Sequence, residues 1–206
     1  MKYIKSFAAA AVLICLLGFF QPEEAAAHQL KVGSTGSEVT NVQSVLKKLG
    51  YFKAETTGYY GWITKRAVER FQRDFGLESV GEVGSKTARL INEIEMMAHV
   101  VYGESRGESY RGQVAVAAVI LNRVQSSAFP NTVNNVIFQR NAFTAVNDGQ
   151  YSLQPDSVAY QAVKDAFHGW DPSNGSVYYY NPELATSKWI FTRTVNSQIG
   201  NHLFAY

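Results

Sequence analysis

The sequence predicts an α+β protein in which a helical module precedes a second module of helices and a small β-hairpin region. Apolar residues recur at helical spacing over much of residues 39–124. Closely spaced glycine pairs interrupt this pattern in the first half of the chain. From about residue 176, aromatic and β-branched runs replace it. Helices followed by a small β region are typical of α+β proteins.

The first 27 residues predict a secretory signal peptide. Lys2 and Lys5 precede an uninterrupted apolar run, Phe7–Phe20, and an alanine triplet ending at Ala27 follows it. The run is shorter than the roughly 18 to 20 apolar residues that span a bilayer. We therefore expect cleavage after Ala27, secretion, and no stable membrane anchor. Cys15, the only cysteine, lies within the run, so the mature protein would contain no disulfide.

The composition restricts the possible partners. A formal net charge of +2 is too weak a surplus to indicate nucleic acid binding, although it suits loose attraction to an anionic polymer such as a cell wall. The length of 206 residues is sufficient for a leader and two small domains. We expect a monomer.

Residues 28–92 contain a short internal repeat. The segments "TTGYYGWITKRAVERFQRDFGL" and "ESVGEVGSKTARLI" each place two glycines around an apolar residue, shortly before a threonine that opens a helical stretch, Thr64 or Thr87. Glycines supply the positive φ of tight turns, and polar residues just after them can cap the helices that follow. The pattern predicts three short helices joined by glycine turns.

This segment resembles the three-helix peptidoglycan-binding module that accompanies bacterial cell-wall hydrolases. The resemblance rests on "VGSTGSEVTNVQSVLKKLGYF", "GYYGWITKRAVERFQRDFGL" and "GEVGSKTARL", and it implies peptidoglycan as the partner. The family commonly has Asp before its turn glycines, where this chain has Thr57 and Val80. Valine cannot accept a hydrogen bond, so we expect a looser second turn. Tyr60 and Trp62 either pack in the core or stack on glycan.

No spacer rich in Pro, Gly or Ser separates the two modules. Helical residues continue through "TARLINEIEMMAHVVY", so we expect a nearly rigid junction near residues 92–95 and a second module over residues 93–206. That module should contain three helices, around Ile94–Val101, over Val114–Val124, and from Pro155 to Gly169. The runs "SVYYYNP" and "KWIFTRTV" should then pair as a hairpin.

The residue types of the second module narrow its chemistry to carboxylates. His99, His168 and His202 form no His-Glu-x-x-His pattern, so we expect neither a metal nor a cofactor. The module has no cysteine nucleophile, and it lacks the G-x-S-x-G motif that presents a serine nucleophile on a sharp turn. Glu104 and Glu108 remain, in "VVYGESRGESYRGQVAVAAVILNRV". The pattern places both glutamates in a turn before a helix. Acidic residues at such a position either take part in catalysis or interact favourably with the helix dipole.

The second module resembles the catalytic domain of the spore cortex-lytic enzyme family. The resemblance rests on the glutamate segment together with "FPNTVNNVIFQRNAFTAVNDGQ", "GWDPSNGSVYYYNPELATSKWI" and "IGNHLFAY". It implies a lysozyme-like α+β fold and cleavage of peptidoglycan glycan strands. The family's catalytic glutamate lies in a Tyr-Gly-Glu motif, here Tyr102-Gly103-Glu104, while Glu108 would support the following helix. The candidates for substrate binding are Thr144, Tyr179, Asn181, His202 and, in the aromatic tail, Trp189.

Three readings of the function remain open at this point. A lytic transglycosylase needs one carboxyl group with a raised pKa, which acts as acid and then as base. A hydrolytic muramidase or glucosaminidase would use a second carboxylate, for which Asp148 is the best candidate and Glu108 the other. The chain could also bind the wall without cleaving it. Whether the substrate is spore cortex or another part of the cell wall is also left open.

Overall fold

A computed structural model describes residues 29–206, and the predicted signal peptide lies outside them. Within the described residues, no helix has the length and apolar character needed to cross a membrane. The predicted α+β class is confirmed. The elements are α1 Ser37–Lys48, α2 Trp62–Asp74, α3 Ser85–Ser105, α4 Tyr110–Gln125, α5 Val133–Ile137, α6 Thr144–Asn147, α7 Ser157–Phe167, β1 Tyr178–Tyr180, β2 Val195–Ile199 and β3 His202–Ala205, with 3₁₀ turns at Gln150–Ser152 and Ile190–Thr192.

The three predicted helices of the first module are present, but the expectation about their caps is wrong. The N-cap positions of α1, α2 and α3 are glycines, at Gly36, Gly61 and Gly84, and no side chain caps them. Thr64 and Thr87 are buried instead of facing their helix ends. Their hydroxyl groups are used inside the module.

A buried glutamine organises the first glycine turn. Gln43 of α1 accepts hydrogen bonds from the backbone N–H groups of Thr57 and Gly58, at 2.9 and 3.0 Å. Its amide nitrogen donates to the Thr64 hydroxyl and to the Tyr59 carbonyl, both at 2.9 Å. All four polar positions of this amide are therefore satisfied inside the module, as buried polar groups require.

The second turn repeats this arrangement with Gln72 of α2. Its oxygen accepts from the backbone N–H of Gly81 at 2.8 Å, and its nitrogen donates to the Thr87 hydroxyl at 3.0 Å and to the Glu82 carbonyl at 2.8 Å. The repeated sequence pattern thus corresponds to two equivalent glutamine–threonine hydrogen bonds, Gln43–Thr64 and Gln72–Thr87. Val80 is exposed, and because Gln72 holds this turn, the turn does not depend on an acceptor at position 80.

The two modules share one helix and one core. α3 runs unbroken through residues 92–95, so the proposed boundary between modules falls inside a helix. A second set of contacts joins the two modules. Lys164 of α7 forms an ion pair with Asp74 at 2.8 Å, and the rings of Phe75 and Phe167 meet edge to face at 6.0 Å.

The three predicted helices of the second module are confirmed as α3, α4 and α7. α4 lies at the centre, and its residues from Val114 to Ile120 are buried. One side of α4 packs with α3 and α7. The other side contacts the sheet, where Ala115 and Val119 form a small cluster with Ile199 and Phe204. This arrangement brings the end of α3 close to the sheet.

The predicted hairpin between the two aromatic runs is wrong. β1 pairs with β3, which lies between β1 and β2, and all pairs are antiparallel. The run "KWIFTRTV" enters a 3₁₀ turn before β2. The hairpin is formed by β2 and β3 around Gly200 and Asn201, where Gly200 has a φ of 58°. Glycine at the first of two turn residues is typical of hairpins.

We predict that Gln72→Leu lowers the free energy of unfolding by about 2 kcal/mol. The leucine leaves the buried N–H of Gly81 and the carbonyl of Glu82 without this partner, and each unsatisfied buried group costs about 1–3 kcal/mol. Urea unfolding measures the change. Gln125→Leu, on the exposed last turn of α4, is the control and should alter stability by less than about 0.5 kcal/mol. Equal effects of the two changes would contradict the role of Gln72.

Candidate active site

Glu104 lies in the last turn of α3, within the helix and not in the predicted turn. Its carboxyl group is held at both oxygens. Oε1 accepts a hydrogen bond from the backbone N–H of Ala145 at 2.6 Å, and Oε2 accepts one from the Tyr179 hydroxyl at 2.9 Å. A rigid helix and two donors from other elements therefore fix the position of one carboxyl group.

Gly103 explains why the donor from α6 can approach so closely. A Cβ at this position would lie 2.5 Å from the Cβ of Ala145, which is closer than two such atoms can come. The glycine of the Tyr-Gly-Glu motif thus makes room for the backbone that donates to Glu104. Its role here is close approach, and it requires no unusual backbone conformation.

The pKa of Glu104 is raised above its ordinary value of 4.5, chiefly because burial removes water from the carboxylate. The hydrogen bonds from Ala145 and Tyr179 act in the opposite direction, since they stabilise the charged form, and the charge of Asp148 adds a smaller upward effect. Burial prevails over the hydrogen bonds. A carboxyl group with a raised pKa keeps its proton at higher pH, as a general acid must.

Tyr179 links Glu104 to the sheet. It is the middle residue of β1, and its ring packs against those of His202 and Phe204 on β3, with centroids at 5.2 and 5.9 Å. Burial and the nearby Glu104 carboxylate raise the pKa of Tyr179 well above its usual range. The phenol therefore stays protonated and remains a hydrogen-bond donor to Glu104.

A cleft of about 850 Å³ opens in front of Glu104. One wall comes from the loop that leads into α6, and the opposite wall from β1 and the loop that follows it. All five residues predicted to bind substrate lie in its wall: Thr144, Tyr179, Asn181, Trp189 and His202. The cleft thus combines one held carboxyl group with polar and aromatic side chains, a lining that suits a carbohydrate chain.

His202 contributes a neutral imidazole to the wall. Burial lowers its pKa, although the charge of Glu108 partly opposes this shift. Its Nδ1 is enclosed and has no hydrogen-bond partner among the described residues. The uncharged ring at the floor of the cleft leaves Glu104 without an adjacent histidine cation.

The two candidates for a second carboxylate have other contacts. Asp148 is fully exposed, and its oxygens accept from the backbone N–H and the amide of Gln150, at 3.0 and 2.7 Å, which lower its pKa. Glu108 accepts from the backbone and side chain of Asn201, at 3.3 and 3.1 Å, across the turn between β2 and β3. Neither residue lines the cleft.

The N-cap of α4 is Ser109, and the Glu108 side chain makes no hydrogen bond to this helix. The Ser109 hydroxyl accepts from the backbone N–H of Gly112 at 3.2 Å. The side chain of Glu108 points to the hairpin, and a Cβ on Gly200 would collide with its Oε2. Within the part of the chain that the structure describes, no three His, Cys, Asp or Glu side chains are grouped as a metal site would require.

Sequence reasoning did not identify the Ala145 N–H or Arg123 as parts of this site. A backbone donor leaves no mark in the residue type at its position. Arg123 was detectable in principle, because it is the one charged side chain late in a nearly all-apolar segment, "VAVAAVILNRV". It is buried and lies in the wall of the cleft beside Glu104.

Two family models match separate parts of the chain. Residues 35–91 match the family described as putative peptidoglycan binding domain, and residues 107–205 match the family described as cell wall hydrolase. The peptidoglycan partner expected from the sequence is supported by the first of these matches.

Several relatives are similar over most of the chain. A spore cortex-lytic enzyme of Bacillus cereus is 42% identical over 84% of each chain, and that of Bacillus subtilis is 34% identical over 84% of this chain and 87% of the relative. A solved structure, the catalytic domain of the germination-specific lytic transglycosylase SleB from Bacillus anthracis, is 62% identical with a TM-score of 0.54, covering 56% of this chain and 94% of that one. The chain therefore belongs to the spore cortex-lytic enzyme family and is a peptidoglycan glycosidase.

Proposed function

We propose that this protein is a lytic transglycosylase that cleaves the bond between N-acetylmuramic acid and N-acetylglucosamine, with Glu104 as its single catalytic carboxyl group. One observation carries the proposal. The cleft wall contains one carboxyl group, which has a raised pKa and is held between a backbone N–H and a phenol. The Bacillus anthracis relative is a germination-specific lytic transglycosylase, which supports the proposal.

The proposed reaction needs only this carboxyl group. Protonated Glu104 donates to the glycosidic oxygen, and the bond from that oxygen to C1 of muramic acid breaks. The carboxylate is then stabilised by the donors from Ala145 and Tyr179. The 6-hydroxyl of the same muramic acid attacks C1 and gives its proton to Glu104. The products are a 1,6-anhydromuramic acid end and a free 4-hydroxyl, and Glu104 is protonated again.

Hydrolysis is the second candidate, and the placement of the other carboxylates disfavours it. A glycosidase with two carboxylates holds them roughly 5 to 9.5 Å apart on either side of the bond. Asp148 would have to serve from an exposed position while its oxygens are engaged by Gln150. Glu108 is engaged at the hairpin turn by Asn201.

Trp62 is the proposed glycan-stacking residue of the first module. Its side chain is 66% exposed at the start of α2, beside the exposed Tyr59 and Ile63, with the ammonium group of Lys65 5.8 Å from the ring. Tyr60 is fully buried and donates to the Gly81 carbonyl, so it packs in the core. Exposed aromatic rings in such a cluster suit stacking on sugar faces.

The proposed setting is the spore cortex or the adjoining cell wall, reached by export and cleavage after Ala27. The names of the relatives support cortex as the substrate. The residues that would direct export carry the charged, apolar and small-residue order of a signal peptide. N-terminal sequencing of the exported protein identifies the processing site.

We predict that Glu104→Gln lowers the rate of glycan cleavage at least about 100-fold, because the amide keeps the shape of the side chain, and its oxygen still accepts from Ala145, but it cannot deliver a proton. Asp148→Asn, the matched control on an exposed carboxylate, should leave the rate within about threefold. Mass spectrometry of the muropeptides released from purified wall should show 1,6-anhydromuramic acid ends. Reducing muramic acid ends, together with a large loss in Asp148→Asn, would establish hydrolysis instead.

We predict that Glu104→Gln also raises the melting temperature near neutral pH. A raised pKa means that the folded protein binds this proton more tightly than the unfolded chain, so stability falls as pH rises from 4.5 through the folded-state pKa. Glutamine avoids that loss, and its advantage should vanish near pH 4. Asp148→Asn should show the opposite sign, since the pKa of Asp148 is lowered. A pH-independent difference for Glu104→Gln would contradict the burial argument.

We predict that Trp62→Ala reduces retention of the inactive Glu104→Gln protein on insoluble peptidoglycan about tenfold, because a stacking aromatic side chain is lost. Thr56→Ala, at an exposed residue of the loop before α2, is the control. The pull-down should show unchanged retention for the control. Unchanged retention for Trp62→Ala would mean that glycan binds to another surface of the module.

A further inference from the structure

Arg123 is a buried cation whose charge has no ionic partner among the described residues. It lies near the end of α4, and only 6% of the residue is exposed. Its Nε donates to the Val177 carbonyl at 2.7 Å, and its Nη1 donates to the Ala142 carbonyl at 3.4 Å. These bonds tie α4 to the segments on both sides of the cleft. They use the guanidinium group as a donor but do not neutralise it.

Aromatic rings form the remaining surroundings of this charge. The guanidinium carbon lies 4.9 Å from the ring centre of Phe143, 5.3 Å from that of Phe129 and 5.8 Å from that of Tyr178. Cation–π contacts of this kind stabilise a cation, but they offset only part of the free-energy cost of burying a charge without an ionic partner. If the role of this side chain were only structural, an apolar side chain would give the fold equal or greater stability. We therefore expect the guanidinium group to have a further polar or anionic partner.

One nitrogen of Arg123 is available for such a partner. Nη2 donates no hydrogen bond to any described residue and is not sealed from solvent. Arg123 lies in the cleft wall with Glu104 and Tyr179, and among the described residues of that wall it is the only lysine or arginine. The free N–H groups of a fixed cation are thus available at the place where the glycan is cleaved.

The proposed reaction requires the cleft to distinguish two similar sugars. The glycan alternates N-acetylglucosamine and N-acetylmuramic acid, and Glu104 must act on only one of the two linkages. The sugars differ in one group, the lactyl ether on C3 of muramic acid, which ends in a carboxyl group or its amide. An arginine N–H pairs well with the oxygen of such a group.

We infer that Arg123 is the specificity residue of this cleft and that its Nη2 donates to the carboxyl-derived oxygen of the muramic acid lactyl group. This inference rests on the proposed function, since it assumes that the muramic acid linkage is the one cleaved. Arg123 binds substrate and takes no part in proton transfer. This role explains why the fold buries the Arg123 charge without an acidic partner.

The test measures binding by the full chain carrying Glu104→Gln, which prevents turnover during titration. Calorimetry compares a tetrasaccharide of alternating N-acetylglucosamine and N-acetylmuramic acid, with free lactyl carboxylates, against the tetramer of N-acetylglucosamine. We expect the muramic acid ligand to bind about 10- to 100-fold more tightly, as a hydrogen bond between charged groups provides. Any binding by the first module is common to all variants.

Adding Arg123→Met should reduce this preference to near unity, whereas adding Arg140→Met should leave it unchanged. Arg140 is an exposed arginine next to the cleft residue Asn141 and serves as the matched control. A preference that survives Arg123→Met would overturn the inference. Thermal melts establish that each variant is folded.

A ligand-side comparison covers the case in which Arg123→Met does not fold. The Glu104→Gln chain is titrated with the same tetrasaccharide after its lactyl carboxylates are reduced to alcohols. Equal affinity for the two forms would overturn the inference, and a loss of about tenfold or more would support it. Failure of the proposed function would appear separately, as wall fragments without anhydro ends from the unmodified enzyme.

Discussion

The Glu104 carboxyl group is held where burial favours its proton and two hydrogen bonds favour its release. Burial alone would leave a strong base that does not give up its proton, and the bonds from Ala145 and Tyr179 alone would leave an ordinary carboxylate. The fold supplies both conditions from separate elements. α3 carries the acid, α6 brings the backbone donor, and β1 brings the phenol. The glycine before Glu104 allows the three to meet.

Two ionisable groups, Arg123 and Glu104, line this cleft without forming an ion pair. Arg123 is held by carbonyl groups and aromatic rings, and Glu104 by an N–H and a phenol. A direct pair would fix Glu104 as a carboxylate and remove the proton that the reaction needs. Keeping the two groups apart leaves the acid protonated and the cation free for substrate. Burial also lowers the pKa of the nearby His202, which keeps that ring neutral.

The sequence predicted the helices and the residues of the cleft wall better than it predicted the contacts between them. Strong apolar periodicity gave α3, α4 and α7, and the resemblance of the aromatic tail pointed to Tyr179 and His202. The strand order was missed because β3, "HLFA", is a short run whose two partners are set by the packing of Phe204 and Ile199 on α4. A backbone donor such as the Ala145 N–H carries no signal in residue type, and the glycine pairs predicted turns but not the N-cap position that Gly61 occupies.

The central claim is that burial raises the pKa of Glu104 enough for it to act as the acid of the cleft. The most direct test is an NMR titration of the full chain with glutamate labelled at the side-chain carboxyl carbon, with the Glu104 signal identified by its loss in Glu104→Gln. The midpoint should lie above 4.5, and Tyr179→Phe should raise it further, since one stabilising bond to the carboxylate is removed. A midpoint at or below 4.5 in the unmodified protein would contradict the assignment of Glu104 as the buried general acid.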